Sequence, residues 1–351
     1  MATVEGVSTT VEQVAERAGV SISTVSRALR DVPGISAATR KRVQEAAEAL
    51  GYAISPSASR LATGRTRTVA VVVPLLSKWF FAEVIAAAGR VLSREGYDVL
   101  LVELSTPDLR EKFFAGPRLH GRADAALVIA LQLAPAELAA LQAQGLAVAL
   151  VGSERAGASS VRVEDRAGGR AAAMHLLNLG HERIAFLGIR QEEGSPLGGV
   201  PPAERLLGYQ EALAEAGLPA DPAMVLAVEN TVDAGAAAMA ELLTAAEPPT
   251  ALVAASDELA FGALATLRGA GMDVPGDFSV VGYDNHELAG AVGLTTMDHG
   301  VSEQGSLAAG AVLAALSGAP ASAGTIEPRL VVRHTTAPPR RLRRAALSSQ
   351  N

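Results

Sequence analysis

The chain has 351 residues, enough for two or three domains, and 49% of them are hydrophobic, which suits large buried cores. Its 30 Lys+Arg against 37 Asp+Glu give a formal charge of −7, which taken alone speaks against a nucleic-acid binder. There is no cysteine, hence no disulfide, thiolate metal site or cysteine nucleophile. Neither a secretory leader nor an apolar run of the ~20 residues that span a bilayer is visible, so a soluble, cytoplasmic protein is expected.

The first pattern is helical. Val11, Val14, Ala15 and Ala18 form a stripe at i, i+3, i+4, i+7. Gly19 is suited to the left-handed residue that ends a helix, and Ser21 to capping the next one. In that second helix Val25, Ala28 and Leu29 face inward, leaving Ile22, Ser23, Ser26, Arg27 and Arg30 outside. Two short helices with small polar residues and arginine on the open face of the second suit major-groove reading, although short helix pairs are common. After a loop at Asp31–Gly34, Ser36 caps a third helix with Val43, Ala46, Ala47 and Leu50 as its apolar stripe, stopped by Gly51. Residues 55–67 are too short and polar to bury anything alone and read as a linker.

The charge divides along the chain. Residues 1–67 hold nine Lys/Arg against six Asp/Glu, so the remainder holds 21 against 31. The basic surplus sits on the small helical module, where phosphate neutralisation requires it.

From Thr68 on, apolar strands alternate with helices. Val69–Val73, Tyr97–Glu103, Ala125–Ala130, Leu146–Val151 and Ser160–Asp165 read as strands, with helices at Ala82–Glu95, Pro135–Gln144 and Ala167–Asn178. The pattern restarts at Arg183–Gly188 and runs through strands at Met224–Glu229, Ala251–Ala255 and Phe278–Asp284. The helices of this second series fall at Ala203–Ala216, Val232–Ala245 and Asp257–Ala270. A doubled βαβ series predicts two parallel-sheet lobes of an α/β core. Val301–Leu316 and Arg329–Arg333 would return the chain to each lobe in turn.

The segments AERAGVSISTVSRAL, TRKRVQEAAEALGY and SPSASRLATGRTRT together resemble the DNA-binding headpiece and hinge of the lactose-repressor (LacI/GalR) family, and the resemblance runs from about residue 8 to about residue 339. It implies a helix–turn–helix headpiece at 1–54, a hinge at 55–67 and a periplasmic-binding-protein-like core at 68–337. The first lobe would hold about 68–178 and 300–320, and the second about 183–297 and 325–337, with crossovers near 178–183, 297–301 and 317–327. Residues 338–351 are expected to be a disordered tail.

The resemblance also distributes roles. Ile22, Ser23 and Arg27 fall at base-reading positions, with Arg27 suited to a bidentate contact to guanine. Ser21, Thr24 and Ser26 fall at phosphate-contacting positions. Leu61 falls where family members insert a leucine into the central minor-groove step, the alternative being packing on its own headpiece. Arg60 is a backbone contact or a solvated charge.

In a two-lobed core the ligand sits between the lobes at the carboxyl ends of the strands. Trp79 and Phe80, just past the first strand, read as a stacking wall or as anchors of the following helix. Asp165, Arg205, Asp257 and Asp284 are charges at strand ends or helix starts, and each aligns with a cleft position of the family; Asp257 also suits a helix cap. Asn230 and His299 align with cleft-lining places too, though a lone histidine is commonly structural. Carboxylates that accept hydroxyls beside an arginine suit a sugar-like effector, while arginine also suits a carboxylate, a phosphate or a purine carbonyl. Three departures from the family pattern blur the ligand: Lys78-Trp79 in place of Asn-Pro, Asp124-Ala125 in place of Asp-Gly, and Gly293 in place of Pro.

No phosphate loop, zinc helix motif or nucleophile elbow is present. The expectation is a transcription regulator and by default a repressor, with no cofactor, no metal and no membrane partner. It would bind palindromic double-stranded operator DNA as a homodimer under control of a small effector. The competing reading is a solute-binding or enzymatic α/β protein with unrelated N-terminal helices.

Overall fold

The computed structural model describes residues 9–29, 33–52, 65–190, 200–219 and 221–340. The chain divides into two compact units, Met1–Thr66 and Arg67–Asn351.

The first unit has three helices: α1 (Val11–Ala18), α2 (Ile22–Leu29) and α3 (Ala37–Ala49). Val14, Val25 and Val43, one from each, are wholly buried against one another's helices. Local chemistry sets the boundaries. The Thr10 N–H donates to Gln13 Oε1 at 3.0 Å at the start of α1. Gly19 ends that helix at φ 63°, a conformation costly for any residue with a Cβ. Ser21 Oγ accepts from the Thr24 N–H at 3.2 Å, and Ser36 Oγ from the Thr39 N–H at 3.2 Å, so both predicted caps are in place.

The second unit holds two six-stranded sheets. Its strands are β1 (Thr68–Val73), β2 (Asp98–Glu103), β3 (Ala125–Ile129), β4 (Ala147–Val151), β5 (Ser159–Val163), β6 (Ile184–Ile189), β7 (Val225–Val228), β8 (Ala251–Ala254), β9 (Ser279–Tyr283), β10 (Thr295–Asp298), β11 (Ala323–Ile326) and β12 (Arg329–Val331). The first sheet has the order β11-β5-β4-β3-β1-β2 and the second β12-β10-β9-β8-β6-β7. All neighbours are parallel except β10 and β12. Strands β1 and β3 are buried on both faces, which explains their unbroken runs of Val, Ala, Leu and Ile.

The helices are α4 (Trp79–Arg94), α5 (Pro107–Phe114), α6 (Pro135–Gln142), α7 (Asp165–Asn178), α8 (Val200–Glu215), α9 (Val232–Leu243), α10 (Asp257–Gly269), α11 (Ala289–Val292) and α12 (Val301–Leu316). The expected two-lobed parallel α/β core is present, with two corrections to the lobe boundaries. Helix α7 belongs to the second lobe, because Ala172, Ala173 and Leu176 are buried with Ile184 and Phe186 of the second sheet. The first crossover therefore lies at residues 164–165, not near 178–183. The contact that holds α7 there is a close helix crossing: a Cβ at Gly169 would overlap the Arg205 carbonyl of α8. Strand β11 pairs in parallel with β5, so residues 323–326 belong to the first lobe and the third crossover follows Ile326. The second crossover, between β10 and α12, falls where expected; α12 buries Val301, Ala308 and Val312 in the first lobe. All three connections thus lie at the β5/β11 and β10/β12 edges of the two sheets.

Candidate functional site

Parallel strands aim their carboxyl ends at a shared crevice, and a cavity of about 140 Å³ opens there. Seven of the eight effector candidates line it: Trp79, Phe80, Asp165, Arg205, Asn230, Asp284 and His299.

The floor is built around Arg205, on the first turns of α8. Its Nε donates to Asp165 Oδ1 at 2.7 Å and its Nη1 to the Ala255 carbonyl at 2.6 Å. The guanidinium lies 3.7 Å from the Tyr283 ring centroid, and Nη1 is 3.9 Å from Asp284 Oδ1. Burial works against the Arg205 charge, but Asp165, Tyr283 and Asp284 outweigh it and raise the pKa further. Asp284 Oδ1 also meets His299 Nε2 at 3.1 Å, and Gln304 Nε2 lies 3.0 Å from His299 Nδ1. An amide nitrogen only donates, so Nδ1 accepts and the Nε2–H donates to Asp284 Oδ1. The Phe80 ring stacks on His299 at 5.8 Å with 10° between planes, placing one aromatic wall over the floor. Helix α4 starts at Trp79, three residues before its predicted start, so both aromatic residues project from its first turn.

Asp284 reaches the cleft through an unusual turn. It has φ 127° and Asn285 φ 54°, both in the region that disfavours side chains. Neighbours hold the turn: Asn285 Nδ2 donates to Asp298 Oδ2 at 3.2 Å, and Arg333 Nη2 donates to Asn285 Oδ1 at 2.7 Å. Asp257 supplies the third tie. It does not line the cleft, which corrects its assignment as an effector contact, and Ser256 rather than Asp257 caps α10 by accepting from the Leu259 N–H. Wholly buried, Asp257 accepts from the His286 N–H at 2.8 Å and from Thr296 Oγ1 at 2.6 Å. Burial, then the nearby Asp284, push its carboxyl up to about 7 against these two hydrogen bonds.

Sequence reasoning missed Lys78, Glu258, His286 and Gln304, which also line the cleft. Lys78 was visible only as a departure from the family pattern. The other three carry no local signal, because what brings them to the cleft is tertiary.

On the helical module, Ile22 is 47% exposed and Ser23 and Arg27 lie open beside it. Thr24 and Ser26 are half-buried. The Ser21 hydroxyl is shared with those of Ser23 and Thr24, each at 2.9 Å. Arg27 Nη2 donates to the Pro33 carbonyl at 3.0 Å. The assignments to Arg30, Arg60 and Leu61 and most of the tail lie outside the described residues. Among the described residues no group of three or more His, Asp or Glu is placed to hold a metal, and no helix is long and apolar enough to cross a membrane.

Residues 10–55 match the family model for bacterial regulatory proteins of the lacI family, and residues 173–336 match the model for a periplasmic binding protein-like domain. The HTH-type transcriptional repressor CytR of Escherichia coli K12 is 33% identical over 282 residues, 80% of this chain and 81% of the relative. Among solved structures, a complex of the transcriptional regulator CelR with cellobiose is 31% identical with a TM-score of 0.68, over 93% of this chain and 99% of the other. The lac repressor dimer bound to operator and the anti-inducer ONPF is 25% identical with a TM-score of 0.82, over 94% and 99%. An open polar helix on a three-helix module, joined in one chain to a two-lobed cleft, defines a ligand-responsive DNA-binding regulator. The chain belongs to the lacI family of bacterial regulatory proteins. It is a transcription regulator and not an enzyme.

Proposed function

We propose that this protein is a cytoplasmic repressor that binds a palindromic operator as a homodimer, and that a neutral, sugar-like effector between the lobes sets its operator affinity. The observation that carries the effector class is the charge balance of the floor. Arg205, the cation suited to an anionic ligand, already has Asp165 at 2.7 Å and Asp284 at 3.9 Å. Across the whole lining Lys78, Arg190 and Arg205 balance Asp165, Glu258 and Asp284, so no net positive charge is left for a carboxylate or phosphate, while Asp165 and Asp284 offer acceptors to hydroxyls. The flat Phe80 wall suits the apolar face of a pyranose ring. The relative solved with cellobiose supports the same class.

In this reading Ile22, Ser23 and Arg27 read bases, while Ser21, Thr24 and Ser26 meet phosphates. Arg60 would contact the backbone and Leu61 the minor groove at the operator centre. Asp165, Arg205, Asn230, Asp284 and His299 would bind the effector's polar groups, with Trp79 and Phe80 against its ring. Effector binding would change operator affinity through a coupling of about 1–3 kcal/mol.

The test is a thermal-shift screen of the full chain with cellobiose, ribose, sugar phosphates, dicarboxylic acids and purine nucleosides. Ligand at about 100 times its Kd stabilises by about 2.7 kcal/mol, a shift of a few degrees. A shift with a neutral sugar and none with the anions is the expected result. A shift with anions or nucleosides alone contradicts the sugar assignment.

A further inference from the structure

The lobes are joined covalently at one side only. All three connections run at the β5/β11 and β10/β12 edges, so opening the cleft would swing apart the opposite edges, those of β2 and β7. On that opposite side Lys78 bridges the lobes. Lys78 follows β1 and immediately precedes α4 in the first lobe. Its Nζ donates to Glu258 Oε2 at 2.7 Å, on the first turn of α10 in the second lobe. It also donates to the Asn230 carbonyl, just past β7 in the second lobe. The partners are 180 and 152 residues away in sequence, so nothing but the approach of the lobes brings them together. The side chains are 23% and 19% exposed, which shields the pair from much of the screening felt by surface ions. The neighbouring Trp79 ring meets His286 of the second lobe at 4.5 Å between centroids, and His286 rests edge-on against Phe261 at 5.3 Å.

We propose that Lys78 and Glu258 form a clasp across the cleft mouth, opposite the three crossovers, that holds the lobes closed. Two of the three ammonium donors of Lys78 are satisfied by second-lobe acceptors, and opening by a few ångströms breaks both bonds together. Lying away from the connected edges, the pair acts on closure through a lever arm. The clasp adds its own free energy to the closed state, so the lobe equilibrium depends on this ion pair as well as on an effector. The inference is independent of which effector binds.

The absence of cysteine makes the test direct. Asp108→Cys, on α5 just past β2, and Asp233→Cys, on α9 just past β7, place two spin labels at the edges that separate most. Their distance distribution is measured by pulsed electron resonance on the full chain with no added ligand. Glu258→Gln and Lys78→Met, each in this background, are expected to add a longer-distance population and lower the closed-to-open ratio about fivefold, the upper end for an ion pair of modest burial. The double variant is expected to fall no further than Lys78→Met alone, because that variant already removes the ion pair together with the bond to the Asn230 carbonyl. Trp79 is the sole tryptophan and gives a second readout: its emission should move toward that of a solvated indole in Glu258→Gln. Unchanged melting temperatures keep the comparison among folded proteins. Superimposable distance distributions in all four proteins, or single effects that simply add in the double variant, overturn the clasp.

Discussion

Arg205 Nε and Asp165 Oδ1 are 2.7 Å apart, with 8% of each side chain exposed. The pair joins the first residue after the first crossover to the helix that opposes it, so it serves the fold and the cleft together. Removing one partner of a buried ion pair leaves an uncompensated charge and costs about 3–5 kcal/mol. Arg205→Met is therefore expected to lower the urea midpoint strongly. Asp165→Asn, whose amide oxygen still accepts from Nε, is expected to cost less. Equal midpoints for wild type and Arg205→Met would contradict this reading of the floor.

Asp257 predicts a pH dependence. Burial, reinforced by Asp284, holds its carboxyl at about 7 in the folded protein, against about 3.9 in an unfolded chain. Over that window the folded state keeps a proton that the unfolded state has lost. The stability this group contributes is complete below about pH 4 and is lost as pH rises through about 7. Urea denaturation at about pH 5 and pH 8 is expected to show a larger loss in the wild type than in Asp257→Asn, which does not titrate. Equal losses in the two proteins would show that Asp257 does not titrate in this way.

The α7–α8 crossing predicts a steric effect that reaches the ligand. A Cβ at Gly169 would overlap the Arg205 carbonyl, and one at Gly208 would overlap that of Arg166. Gly169→Ala is expected to destabilise by about 1–3 kcal/mol and to shift Arg205 away from Asp165. Sugar affinity should then fall in titration calorimetry. Gly217→Ala, at a site where a Cβ meets nothing within 4 Å, serves as a control for the loss of a glycine on that helix's end; its cost should come from φ 71° alone.

Arg27 predicts a split between affinity and specificity. Its guanidinium, tied to the Pro33 carbonyl at 3.0 Å, must exchange that bond for a base edge. Arg27→Ala is expected to cost about 1–3 kcal/mol of discrimination on the preferred operator while leaving the weak, salt-dependent binding to random DNA nearly unchanged. A uniform loss on both DNAs would make Arg27 a phosphate contact.

Much of this was legible in the sequence, for physical reasons that differ by region. The three helices of the first unit were read almost to the residue because Gly19, Ser21 and Ser36 act on neighbours one to three positions away. Strand-end positions and the family resemblance point to seven residues that line the cavity. The errors are tertiary. A strand-then-helix pattern does not say which sheet the helix covers, so α7 was assigned to the wrong lobe. A strand-end aspartate does not reveal which way its side chain turns, so Asp257 was read as a cleft residue or a cap, when it pins the turn behind Asp284. Glu258 sits one residue further along the same helix and faces the cleft instead.

The most direct test of the central claim is operator binding by the full chain, followed by fluorescence anisotropy on a palindrome selected from random DNA, with and without a cleft ligand at saturation. The account predicts sequence-specific, salt-sensitive binding whose Kd changes by about 5- to 150-fold when the ligand is added. A ligand that saturates the cleft and leaves the operator Kd unchanged would contradict it.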